Sequence, residues 1–334
     1  MTVKKVSIMI DKEAFKNNIY IVKALSIFSV ICAHCCTISD GSSVWNVFAS
    51  KLLTSIGTVG IFAFYFLSGY FLCFTRKRTC DFWKQKLFYI VIPWLICGTS
   101  VYLYVYLRKD GISLSSWAKW IIGMDTYLYY IVILLVFYLL FYWLRKNKLL
   151  IVIFTVLSLA ENVLLFVIPQ ELFVIKYPYL DPFRFGYMFS LGLLVANCGT
   201  LSKLLLWCKK YVLILGSLFI VSSVIPAWFK YSYSYFVPWY IPYAVVTFLF
   251  VLGLCQYVRA FFKPILINTG RWSYTIYLIH MPLAGVIVHV CKNIDNAVIT
   301  LLRPIIIIII VYLIVYLIKK IKCFKTIELL LGIR

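Results

Sequence analysis

Charge is what this sequence has least of. Of its 334 residues 13% are charged, 11 are acidic and 3 are histidine. A water-soluble domain carries roughly 25% charged and about 45–50% apolar residues, so a soluble globular chain is excluded. No hydrophilic block is long enough to fold alone. No secretory leader is evident, because the first 18 residues are polar and hold no apolar stretch ending in small residues. No Gly-x-Ser-x-Gly elbow occurs, so a serine nucleophile of that kind has no support. The 11 cysteines lie mostly inside apolar runs, where no disulfide framework is implied. No inverted repeat is apparent, which weighs against a secondary transporter.

What the sequence does have is hydrophobic length. It is 64% apolar and 19% aromatic, with a mean hydropathy of +0.97. A helix needs about 20 apolar residues to cross the hydrocarbon core. The apolar runs are continuous rather than alternating, which implies helices and not barrel strands. The pattern predicts an all-α membrane protein with about ten spans, at 19–38, 56–74, 87–107, 127–144, 149–168, 182–198, 211–229, 239–258, 273–291 and 299–318. One domain is expected over 1–334, with a polar N-terminus at 1–18 and a basic tail at 319–334. With loops assigned to alternate sides, 23 of the 33 Lys and Arg fall on one side and 7 on the other. Lys23, Arg184 and Arg303 stay inside spans. That bias puts both termini in the cytoplasm. It also accounts for the net charge of +22 without nucleic acid. The aromatic residues suit interface belts first and sugar-stacking surfaces second.

The first span, "NNIYIVKALSIFSVICAHCCTISD", holds two ionisable groups, Lys23 and His34. Eleven helical steps come to about 1,100°, three turns plus about 20°, so the two side chains share a face roughly 16 Å apart. Lys23 reads either as a snorkelling side chain or as a functional cation. His34 reads either as a hydrogen-bonded packing residue or as a group lining an interior cavity. The adjoining "CAHCC" does not form a metal site on a helical wheel: the thiols of Cys32, Cys35 and Cys36 face away from His34, and zinc would need ligands from elsewhere.

The Lys-x10-His spacing resembles the Arg/Lys-x10-His signature of the acyltransferase 3 family of integral membrane O-acyltransferases. Five further stretches are similar to that family's segments in the same order. They are "GIFAFYFLSGYFL" (60–72), "DFWKQKLFYIVIPWL" (81–95), "YLYYIVILLVFYLL" (127–140), "RFGYMFSLG" (184–192) and "TGRWSYTIYLIHMPL" (269–283). Where many members carry a second arginine before the third span, this chain has Lys84, Lys86 and Tyr89.

The resemblance implies transfer of an acyl group, acetyl by expectation, from cytoplasmic acyl-CoA to a hydroxyl of a cell-surface polysaccharide or its lipid-linked precursor, in a bacterial plasma membrane. Acyl-CoA is then a donor substrate; no bound cofactor and no metal are expected. His34 is the candidate general base, with a side chain whose ordinary pKa lies near working pH. Lys23, Lys84 and Lys86 would hold the donor's phosphates. Glu161 reads either as the acid that orients the imidazole or as a carboxyl hydrogen-bonded for packing. Asp181 and Arg184 would pair across a helical turn or bind acceptor hydroxyls. His280 would contact the donor or serve the fold; by count along its helix it lies in the cytoplasmic half. Ser68 and Gly69 would let helices approach closely, with Ser68 also a candidate substrate contact. His289 has no motif around it. A polytopic transporter or flippase, using Lys23, His34 and Glu161 as a proton relay, is the other reading.

Overall fold

In the computed structural model, residues 2–36, 38, 41–106, 112–124, 126–168, 176–291, 294–320 and 330–332 are described, with side chains from residue 13 onward. The expected charges at Arg108, Lys109, Lys292, Lys322, Lys325 and Arg334, and the side chains of Lys4, Lys5 and Lys12, lie outside these. The described residues form helices and no strand. In chain order these are α1 (Thr2–Ala33), α2 (Val44–Cys73), α3 (Thr79–Lys86), α4 (Ile92–Tyr106), α5 (Leu114–Ile122), α6 (Tyr129–Leu144) and α7 (Lys148–Val167). There follow α8 (Pro182–Cys198), α9 (Leu201–Lys210), α10 (Val212–Trp228), α11 (Tyr240–Leu254), α12 (Lys263–Arg271), α13 (Ser273–Val290) and α14 (Ala297–Lys320).

A helix lies at each of the ten expected stretches, but they differ in length. Among the described residues six stretches are long and apolar enough to cross a membrane, counting α3 to α4 as one, or seven if α8 and α9, bent by 104°, form one broken span. Helices α6, α10 and α11 are apolar but shorter. Three short helices fall where the sequence suggested only loops. Ser113 and Ser116 form a capping box that starts α5, and Gly123, at φ 85, ends it in the left-handed conformation. Basic α9 and α12 are the other two. A π turn at Leu87–Val91 joins α3 to α4. Pro93 lies just beyond it and has no N–H to give the carbonyl four residues back, Tyr89, so the widened turn absorbs the misfit.

The chain divides into two compact units interleaved in sequence. One comprises Met1–Ala63, Ser202–Ser232 and Pro242–Tyr312; the other comprises Phe64–Leu201, Tyr233–Ile241 and Leu313–Arg334. In the first, α1 packs on α2 through glycines. A Cβ at Gly57 would strike the backbone of Ala33, and one at Gly60 the carbonyl of Ser26. At one end of this unit the Ser43 N–H donates to Asp295 at 2.7 Å and Thr300 donates to Asn46 at 2.7 Å. That backbone bond holds the exposed Asp295 carboxyl below its ordinary value.

In the second unit α8 is the enclosed element, with ten buried residues between Arg184 and Ala196. Its contact with α2 is reciprocal: a Cβ at Gly192 would meet the Phe66 carbonyl, and one at Gly69 the Phe189 carbonyl. The close approach expected at Ser68-Gly69 is thus made by the glycine. Contact with α7 is polar. Thr155, Ser158 and Asn162 share one face of α7 at spacings of three and four. Thr155 donates to Ser190 at 2.7 Å, Ser158 bonds both the Phe183 carbonyl and the Tyr187 N–H, and Asn162 donates to the Arg184 carbonyl at 3.2 Å. Apolar side chains elsewhere face outward, as at Ile305, Ile306, Ile309 and Leu313 of α14, while Ile307, Val311 and Val315 are buried. That exposed apolar face suits lipid.

Replacing Gly192 with valine adds three carbons, the first of them a Cβ that runs into the Phe66 carbonyl. We expect a loss of about 1–3 kcal/mol, as for other overpacked contacts. It should appear as a lower unfolding temperature in detergent, while Gly285→Val, where a Cβ meets nothing within 4 Å, leaves that temperature in place. Equal temperatures for both variants would contradict the close α2–α8 approach.

Candidate active site

Helix α1 stops at Ala33, five residues before the expected end. The chain then turns tightly, with the His34 N–H on the Ile31 carbonyl at 3.0 Å and the Cys35 N–H on the Cys32 carbonyl at 3.3 Å. The helical wheel drawn over Cys35 and Cys36 therefore does not apply. The Cys35 thiol turns back to the Ile31 carbonyl at 3.1 Å; the Cys36 thiol donates to the Ser50 carbonyl at 3.1 Å and accepts from Thr54 at 3.2 Å.

A buried arginine holds this turn. Arg303 of α14 is 0% exposed and donates from Nη1 to the Cys35 carbonyl at 3.3 Å and from Nη2 to the Cys291 carbonyl at 3.1 Å. The Cys291 carbonyl is at the C-cap of α13, and the Cys35 carbonyl is in the turn two residues past the end of α1. Such ends carry partial negative charge and carbonyls with no intrahelical donor. One guanidinium thus ties the turn after α1 to the end of α13.

The partly buried His34 ring packs against that of His280, with centroids 5.3 Å apart and planes at 51°. His280 lies in the middle of α13, fully buried. Its Nδ1 is 2.6 Å from the Tyr277 carbonyl. A carbonyl only accepts, so Nδ1 carries the hydrogen and, in the neutral ring, Nε2 carries the lone pair. Counting residues placed His280 at a different depth from His34. That count assumed helices that start level and run parallel; the ring contact shows that the two side chains meet.

Lys23 is partly buried on α1, its Nζ 6.0 Å from the centre of the Tyr20 ring. Arg271, at the end of α12, stands 5.3 Å from the same ring. Gly270 makes this possible, since a Cβ there would run into the Tyr20 carbonyl. The sequence tally counted Arg271 only as a loop charge. Its signal was its place just ahead of the "SYTIYLIH" run that ends in His280. About ten residues of helix, roughly 15 Å, separate Lys23 from the turn that bears His34.

The second unit holds the other candidates. Lys84 is exposed. Lys86 sits over the Tyr138 ring at 3.8 Å and the Phe82 ring at 5.0 Å, a cation–π pair of contacts. Ser68 hydrogen-bonds the Tyr130 side chain. The Asp181 carboxyl caps α8, accepting from the Phe183 N–H at 3.0 Å. Glu161 hydrogen-bonds Asp181 and lies in the field of Arg184. Arg184 is 5% exposed, with Nη1 3.5 Å from Asn162 and its guanidinium 5.2 Å from the Phe236 ring. Among the described residues its hydrogen bond goes to Asn162, and it stands over the Phe236 ring; no ion pair with Asp181 across the turn is formed there. Asn162 and Phe236 had no part in the sequence reading. Asn162 was visible as one of three polar residues at helical spacing in an apolar span.

The chain matches the family model described as an acyltransferase domain, acyltransferase 3, over residues 16–320. No curated protein and no solved structure matches it.

Arg303→Met leaves the Cys35 and Cys291 carbonyls without their charged donor. Each such bond is worth about 1.5–3 kcal/mol, so the unfolding temperature in detergent should fall clearly. Arg303→Lys, which can reach only one carbonyl at a time, should fall in between. An unfolding temperature equal to that of the wild type in both variants would contradict this tie.

Proposed function

The chain belongs to the acyltransferase 3 family of membrane acyltransferases, and on that premise we propose that it is an O-acyltransferase. It takes an acyl group, acetyl in our reading, from cytoplasmic acyl-CoA and places it on a hydroxyl of a cell-surface polysaccharide or a lipid-linked precursor. Ten spans with both termini in the cytoplasm complete the proposal. The observation that carries it is the His34–His280 pair at one end of α1, with Lys23 and Arg271 about a helix-length of three turns away.

The chemistry follows from those groups. The donor's phosphates are anionic and pair with Lys23 and Arg271, while Lys84 and Lys86 add positive charge on the cytoplasmic side. The long pantetheine arm carries the thioester toward His34. The acceptor hydroxyl gives its proton to the His34 imidazole as its oxygen attacks the thioester carbonyl. The tetrahedral intermediate then collapses, the carbon–sulfur bond breaks, and the thiolate takes the proton from the imidazolium. His280, its tautomer set by the Tyr277 carbonyl, keeps the Nε2 lone pair and packs its ring against that of His34. The flippase reading gains nothing from the family and is set aside.

Purified protein in liposomes with radiolabelled acetyl-CoA and an envelope glycan extract tests this. His34→Ala should abolish labelling of the glycan while the protein still inserts and folds. Lys23→Ala and Arg271→Ala should raise the acetyl-CoA KM about tenfold with a smaller effect on kcat, because they bind the ground state and transition state alike. Full activity in His34→Ala would eliminate the proposed base.

A further inference from the structure

In the second unit, buried polar atoms of both signs are short of partners among the described residues. The Arg184 guanidinium offers five N–H donors. Among the described residues it has one bond, to Asn162, at the 3.5 Å limit, and its Nε has none. Beside it, Glu161 and Asp181 share a hydrogen bond. Each keeps a buried carboxyl oxygen, Oε2 of Glu161 and Oδ2 of Asp181, with no hydrogen-bond partner among the described residues. Burying a guanidinium or carboxyl without hydrogen bonds is costly, so native structures satisfy such groups.

The ligand that would satisfy them is constrained by sign. An anion would pair with Arg184 but face two carboxyl groups. A cation would pair with the carboxyl groups but face Arg184. A neutral polyol suits all three, because each hydroxyl both donates and accepts. Aromatic rings stand beside these groups: the Arg184 guanidinium is 5.2 Å from the centre of the Phe236 ring, Tyr179 meets Phe236 at 4.8 Å, and Tyr129 stacks on Phe185 at 5.7 Å and 27°. A mostly apolar wall with a few convergent polar groups is the usual form of a small-molecule site.

We propose that Arg184, Glu161 and Asp181, with the ring of Phe236, form a binding subsite for an uncharged pyranose, selective against acidic and amino sugars. This deepens the O-acyltransferase reading by naming the class of acceptor residue, and rests on that reading only for what the bound sugar is used for.

Full-length protein in nanodiscs is titrated with three matched probes, p-nitrophenyl β-glucoside, β-glucuronide and β-glucosaminide with a free amine, alongside the β-galactoside. Binding is read by saturation-transfer NMR and calorimetry, without acyl-CoA. A neutral glycoside should bind at least about tenfold more tightly than either charged one, the scale of one lost buried hydrogen bond. Arg184→Lys, which keeps the charge and loses the fork, should weaken it about tenfold, as should Glu161→Gln. Phe236→Ala, at a partly exposed ring outside the helices, guards against a misfolded Arg184 variant and should weaken binding as well. Charged probes binding as tightly as neutral ones, no neutral glycoside bound at millimolar concentration, or affinities indifferent to all three variants would each overturn the subsite. If a neutral glycoside binds as described and no acceptor is ever acylated, the subsite stands and the acyltransferase reading falls. If a glycan is acylated while glycoside affinity ignores the three variants, the reverse holds.

Discussion

A polar group inside a hydrocarbon layer has no water to turn to, and must find its partner within the protein. In a chain with 13% charged residues that constraint organises nearly everything of interest. The polar stripe Thr155, Ser158 and Asn162 binds α7 to α8 and fixes where Arg184 stands. Arg303 is tolerated at 0% exposure because the turn after α1 and the end of α13 supply it with carbonyls. His280 is tolerated in mid-helix because the Tyr277 carbonyl takes its Nδ1 hydrogen. Packing between apolar faces then needs little specificity. The glycines at 69 and 192 set the separation of α2 and α8, and outward-facing isoleucines and leucines meet lipid.

The same constraint explains what was legible in the sequence. Long apolar runs can only be helices in a membrane, so the all-helical class and the place of each long helix could be read directly. The short helices α5, α9 and α12 could not. They are amphipathic or basic, and hydropathy over a span-length window passes over them. The end of α1 was also missed, because nothing in "CAHCC" marks a stop; the stop is made by Arg303, 269 residues beyond His34 in sequence. Lys23 and His34 stood out because an ionisable residue in a span is costly. Contacts with partners far along the chain did not: no count along a helix brings His280 to His34, Arg271 to Tyr20, or Phe236 to Arg184. Those pairings belong to tertiary packing.

The polar residues that survive in these helices fall into two kinds. Ser158 and Asn162 have their bonding complete inside the protein, and they serve the fold. Among the described residues Arg184, Glu161 and Asp181 do not, while His34, in the turn that ends α1, meets the buried mid-helix His280 of α13 by ring contact. Acyl transfer needs a base near the donor thioester and a place for the acceptor; in our account His34 supplies the first, and Arg184, Glu161 and Asp181 supply the second.

The most direct check on the central claim, that an acyl group ends as an ester on an envelope glycan, is mass spectrometry of the envelope glycans from cells with and without this gene. The account predicts glycans of the same sugar composition that lack a set of acyl esters when the gene is removed. Unchanged esters, or the loss of the glycan itself from the surface, would contradict it.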